Sequence, residues 1–168
     1  MLGPIAGNTR ELDSTGGVAM PVVAIDRFER FFRAAASLDV DKNDLKRYGD
    51  FVDEKVYDLL LIAQAKAKAN GRDVIAAHDI PVTKGLQERV HEFRKLDQEI
   101  ELRPILDSLT ARPPLDLALG DDAERRLPDI VGGLSVALAR TFKIMDPELK
   151  NPQTAHWEGA LRIFNLLV

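Results

Sequence analysis

The chain contains no cysteine, which excludes disulfides, thiolate nucleophiles, iron–sulfur ligation and cysteine-held zinc. A reducing compartment suits such a chain, so a cytoplasmic location is expected. Aromatic residues are scarce at 6%, with one tryptophan. Long apolar runs are missing too: the densest stretch, Leu59 to Ala63, falls far short of the roughly 18 residues a membrane span needs, so no membrane partner is expected. The opening residues lack a basic region followed by a continuous apolar one and do not read as a secretory signal. Cations are slightly outnumbered, with 23 Lys and Arg against 27 Asp and Glu over 168 residues and a net charge of -4. Nucleic-acid binding by bulk charge works by neutralising phosphates, and this balance opposes it.

What the sequence has is apolar residues at helical spacing. Residues 1–22 hold four glycines and two prolines and read as a disordered tail. Ordered patterning begins at about Val22, so Met20 reads as the natural start. Ile25, Phe28, Phe31, Phe32 and Ala35 mark a short amphipathic helix. Asp41 or Asn43 can cap the long helix that follows, whose apolar positions are Leu45, Tyr48, Val52, Val56, Leu59, Leu60, Ala63 and Ala67. Asn70-Gly71 stops it. Asp73-Val74-Ile75 reads as a brief extended stretch. A third helix is expected from near Asp79-Ile80-Pro81, with proline in its first turn, carrying Leu86, Val90, Phe93 and Leu96.

The order short, long, medium then recurs. Pro104 to Leu109 forms a short helix. Asp121 or Asp122 caps a long one with Leu127, Ile130, Val131, Leu134, Leu138, Phe142 and Met145 on one face, and Pro147 stops it. A last helix carries Trp157, Leu161, Phe164 and Leu167. Leu38-Asp39-Val40 is answered by Leu115-Asp116-Leu117, and an internal duplication is the economical reading. Gly132-Gly133 inside the second long helix costs about 1 kcal/mol per glycine against alanine, which points to a close helix crossing.

Gly71-Arg72-Asp73-Val74-Ile75-Ala76-Ala77-His78-Asp79-Ile80 resembles the stretch of archaeal and eukaryotic histones where Gly-Arg enters the second loop and Asp-Ile opens the third helix. From about Ile25 the chain is also similar to an uncharacterised bacterial family with two histone folds in one polypeptide. Leu38-Asp39-Val40-Asp41-Lys42-Asn43-Asp44-Leu45-Lys46-Arg47, Asn70-Gly71-Arg72-Asp73, Lys84-Gly85-Leu86-Gln87-Glu88 and Leu149-Lys150-Asn151-Pro152-Gln153-Thr154 are the segments that carry this similarity. The resemblance implies an all-α chain of two tandem histone folds, 23–98 and 99–168, packed as an intramolecular pseudodimer with the long helices crossing. It also implies that Arg72 and Asp79 pair as a structural clamp. An ordinary six-helix bundle is the alternative.

In histone dimers DNA runs over the first loop of one fold and the second loop of its partner. Here Asp39–Arg47 with Asp146–Lys150 holds four positive and five negative residues, and 68–73 with 115–122 holds two and four. Both surfaces read as acidic, which opposes histone-style wrapping. Where histones tend to carry a lysine-threonine pair after the loop arginine stand Asp73 and Val74, and the second half has no such clamp. A smaller cationic cluster, Arg27, Arg30, Arg33, Lys42, Lys46 and Arg47, is the candidate DNA or anion contact, although Asp26, Glu29, Asp50 and Asp53 interleave it and a solvated face is the plainer reading.

His78, His91 and His156 lack metal-ligand spacing, Ser135 lacks the setting of a nucleophile elbow, and Gly132-Gly133 lacks the lysine and strand of a phosphate loop. No catalytic residue, metal or cofactor is expected. The functional expectation is a non-enzymatic architectural or protein-interaction module with an unknown protein partner, monomeric or assembled into a homo-oligomer. Its alternative is a weak, salt-sensitive, nucleoid-associated DNA binder.

Overall fold

The apolar spacing resolves into helices in the computed structural model, which describes residues 22–109 and 113–168. Among these, α1 spans Val22–Ala36, α2 Lys42–Ala69, α3 Lys84–Ile100, α4 Arg103–Leu109, α5 Asp121–Met145 and α6 Thr154–Leu167. Two short strands, β1 (Val74–Ile75) and β2 (Ala118–Leu119), pair in parallel, Val74 opposite Ala118 and Ile75 opposite Leu119. The chain is thus mostly helical. The tail expected for 1–22 and the start at Met20 lie outside the described residues, except that Val22 already opens α1.

Capping explains the start of α2. The Asp41 carboxylate accepts from the Asp44 N–H and the Asp44 carboxylate from the Asp41 N–H, a reciprocal box that satisfies two donors the helix cannot. Gly71, at φ 69°, closes the other end, and the Arg72 N–H reaches back to the Ala67 carbonyl. Two expectations fail nearby. The third helix does not begin at Asp79-Ile80-Pro81: Ala77–Asp79 form a 3-10 turn, and α3 starts at Lys84, capped by the Thr83 hydroxyl. Pro81 is the reason, because it drives Ile80 out of the helical region. Nor do Asp121 or Asp122 cap α5; Gly120 holds that place and both lie inside the first turn.

One continuous apolar core runs through both halves of the chain. Every apolar position expected of α2 is buried, from Leu45 to Ala67. The most extensive helix contact lies between α3 and α5, where Gly132 and Gly133 let Phe93 and Val90 settle onto the helix backbone. Asp129 of α5 is buried and takes Arg94 of α3 at 2.8 Å and Arg103 of α4 at 3.3 Å, an ionic tie among three helices. The boundary expected at 98/99 falls inside α3. α3 passes into α4 at Glu101–Leu102, with Glu101 in the left-handed region, the Asp97 carboxylate accepting from the Leu102 N–H, and Arg27 donating to the Glu101 carbonyl.

The long helices meet at a buried polar contact. The Ser135 hydroxyl donates to the Val131 carbonyl, which leaves Tyr48 to donate to Ser135 Oγ at 2.6 Å. Burial pushes the Tyr48 phenol above its ordinary value. The unfolded chain ionises at about pH 10 while the fold resists, so stability is held below that pH and declines above it. Tyr48→Phe is expected to flatten the alkaline decline between about pH 9 and 11 in urea unfolding. A decline as steep as the parent's would remove Tyr48 as its cause.

Candidate functional site: the paired loops

Two loop pairs stand at separate places on the fold. In one, β1 follows α2 and β2 precedes α5, and the Gly120 N–H continues the ladder to the Ile75 carbonyl. Arg72 leaves α2 through Gly71 and donates from both terminal nitrogens to Asp79, each at 2.5 Å. Asp79 is buried and also accepts from the Ala76 N–H. The Arg72 guanidinium holds the Asp79 carboxyl well below the usual carboxylate range, helped by that N–H. The neighbouring charges are engaged as well. Lys68 pairs with Asp116 at 2.7 Å, the Gln64 side-chain carbonyl accepts from the Leu117 N–H, and Asp122 accepts from the Ala77 N–H. The carboxyls of Asp116 and Asp122 are lowered by Lys68 and by the Ala77 N–H respectively. Asp73 and Asp121 remain exposed.

At the other pair the Asp39 N–H donates to the Lys150 carbonyl at 2.7 Å, joining the loop after α1 to the loop after α5. Lys143 ties the latter by donating to the Leu149 carbonyl. Asp44 cannot count as a surface charge here: it is buried, and Trp157 of α6 donates its indole N–H to it at 3.0 Å. The expected ratio of four positive to five negative therefore overstates the acidity.

The six candidate cations separate. Arg27 bonds to Glu101 at the α3–α4 joint. Arg33 makes an exposed 3.5 Å pair with Asp39, and Arg47 donates to the Thr154 hydroxyl at the start of α6. Arg30, Lys42 and Lys46 are exposed and form no ion pair among the described residues. Lys150 shares this condition; it stands outside the six-residue cluster, although the sequence reading already set its loop beside Asp39–Arg47, and the Asp39–Lys150 bond agrees. A residue that escapes the sequence reading is Lys55, buried on α2 and donating to Asp58 and to Asn165 of α6.

Among the described residues no group of three metal-ligating side chains converges, and no helix is long and apolar enough to cross a membrane. A family profile described as "Domain of unknown function (DUF1931)" matches residues 28–165. An uncharacterised Aquifex aeolicus (strain VF5) protein is 28% identical over 130 residues, 77% of this chain and 76% of that one. The crystal structure of a Thermus thermophilus protein is similar with a TM-score of 0.76 and 56% identity, over 86% of this chain and 97% of that one. A second, of an Aquifex aeolicus protein, has the same TM-score at 25% identity, over 86% and 95%.

Proposed function

We infer, for a chain that belongs to the DUF1931 family, that its two halves are tandem histone folds clasped as an intramolecular pseudodimer, and that this clasp is a non-enzymatic module acting inside the cell by binding another macromolecule. The observation that carries the reading is the crossed pairing of loops. The second loop of the first half lies against the first loop of the second half through β1 and β2, and the remaining two loops meet through Asp39 and Lys150. An ordinary bundle has no need of two such joints at corresponding places. Arg72 and Asp79 would then be the clamp that holds one joint.

Protein interaction is the lead role, because the charge that would hold phosphate is compensated at the β1–β2 joint: Lys68 and Arg72 are both spent on carboxylates there. One observation favours a second reading. Arg30, Lys42, Lys46 and Lys150 form no ion pair among the described residues around the other joint, while Asp44 faces inward, so weak nucleic-acid contact at that single end is the alternative. A mobility-shift titration with duplex DNA separates the two. The lead reading expects no shift at about 150 mM salt and at most a weak one at low salt, lost in the Lys46→Glu, Arg47→Glu double variant. Tight binding at physiological salt that this variant abolishes would overturn it.

A further inference from the structure

Sulfur is scarce in this chain, which has no cysteine and three methionines. Met1 and Met20 lie outside the described residues, so Met145, the last residue of α5, carries the one sulfur among them. Its side chain lies against α6, with the methyl 2.5 Å and the sulfur 3.8 Å from the point where a Cβ on Gly159 would stand. The methyl therefore rests on the bare backbone of that helix. A glycine within a helix costs about 1 kcal/mol against alanine, and at Gly159, as at Gly132, a close contact occupies the space that the missing side chain leaves. One turn back along α5, Phe142 meets Trp157 of α6 edge-on, with 4.9 Å between centroids. The last turn of α5 thus touches the first half of α6 through an aromatic contact and a thioether contact. The two differ in exposure: Phe142 and Trp157 are buried, whereas Met145 is 37% exposed.

We propose that Met145 is a site of oxidation by hydroperoxides, and that its sulfoxide loosens the first half of α6 from the end of α5. The step needs a hydroperoxide as co-reactant. The thioether sulfur takes the outer peroxide oxygen, an S–O bond forms as the O–O bond breaks, sulfur gives up two electrons, and the peroxide leaves as water or an alcohol. No other sulfur among the described residues competes for the reagent. The product is polar where the thioether was apolar. Seated on Gly159, the new oxygen would leave water for a helix backbone whose interior N–H groups are already bonded within the helix, so it would stand there without a donor. An unmatched polar group is disfavoured in such a place. The sulfoxide therefore turns to solvent and uncovers Gly159, and α6 loses this hold on α5 while Trp157 keeps its bond to Asp44 and Phe164 its contact with Phe51. The proposal uses only the packing of α5 on α6 and is independent of the histone reading.

Treating the folded full chain with hydrogen peroxide at neutral pH tests it, with peptide mass spectrometry to place the added oxygen and amide hydrogen exchange to follow each helix. The expected result is one oxygen on Met145 and exchange over the first half of α6 faster by about tenfold, with α3 unchanged. Methionine sulfoxide reductase should reverse both. Met145→Leu, which keeps an apolar side chain beside Gly159 and retains the other two methionines, should show no change in α6 on the same treatment. A Met145 that stays reduced in the folded chain while it oxidises in urea overturns the proposal. So does a Met145 sulfoxide that leaves α6 exchange as it was, or a peroxide effect on α6 that Met145→Leu shows equally.

Discussion

Gly132→Ala is expected to lower folding stability by about 2–3 kcal/mol, even though alanine is the better helix former by about 1 kcal/mol. A methyl at this position would fall within the Phe93 ring, and Phe93 has no exposed surface and meets Phe31 edge-on at 6.1 Å between centroids. The adjacent position is as constrained, since a Cβ at Gly133 would stand 2.7 Å from Val90 Cγ2 and 3.1 Å from the Val90 backbone nitrogen. The fold must therefore part α3 from α5 or distort one of them. Urea unfolding reads the loss, and Phe93→Leu placed on the Gly132→Ala background is expected to recover part of it by making room for the methyl. If both single variants destabilise and their effects simply add, the two residues do not share this contact.

The second large effect is expected from Arg72→Met. Removing the guanidinium leaves the buried Asp79 carboxylate with the Ala76 N–H as its remaining hydrogen-bond donor, and an uncompensated buried charge is far costlier than a lost surface pair. The melting temperature at neutral pH should fall by on the order of 10 °C. The pH dependence follows from the direction of the Asp79 shift. Because the folded-state pKa is lowered, the stabilisation is fully present above the unfolded value of about 4 and is lost as pH falls through and below it. The parent should weaken over that acid range. In Arg72→Met the penalty shrinks as Asp79 takes up a proton, so the two melting curves converge on acidification. Asp79→Asn on the Arg72→Met background should relieve the variant at neutral pH as well. Melts that match the parent at pH 7 would mean that the loop stands without this pair.

The long helices were the most legible part of the sequence, because a buried helical stripe repeats through several turns and one anomalous residue does not hide it. Leu45, Val52, Leu59 and Ala63 needed no tertiary knowledge, and the cap narrowed to Asp41 or Asn43, of which Asp41 holds the place. Gly132-Gly133 was legible for a different reason: two glycines within a helix are costly unless something lies close above them. The start of α3 was not, since the Pro81 that is tolerated in a first turn also extends the residue before it, and Thr83 offers a better cap further along. Charge was the least legible. Asp44 looks like one more acidic loop residue until Trp157, which lies 113 positions away, is placed against it. Lys55 looks like a solvated lysine until Asn165 arrives from α6. Which cations stay unpaired is decided by such distant meetings, so counting charges along a loop misjudges the surface it presents.

If the two halves are the proposed pseudodimer, the turn at Glu101–Leu102 has a consequence for how they can vary. Separate identical subunits must carry the same residue at both ends of their symmetric pair, so a lysine gained at one end is gained at the other. Two unequal halves joined through two residues, with Asp97 and Arg27 bracing the turn, are free of that equality. The first end can keep Lys42, Lys46 and Lys150 exposed to solvent while the second spends Lys68 and Arg72 on carboxylates. In that pseudodimer the two loop pairs carry different free charge, and each is free to answer to different surroundings.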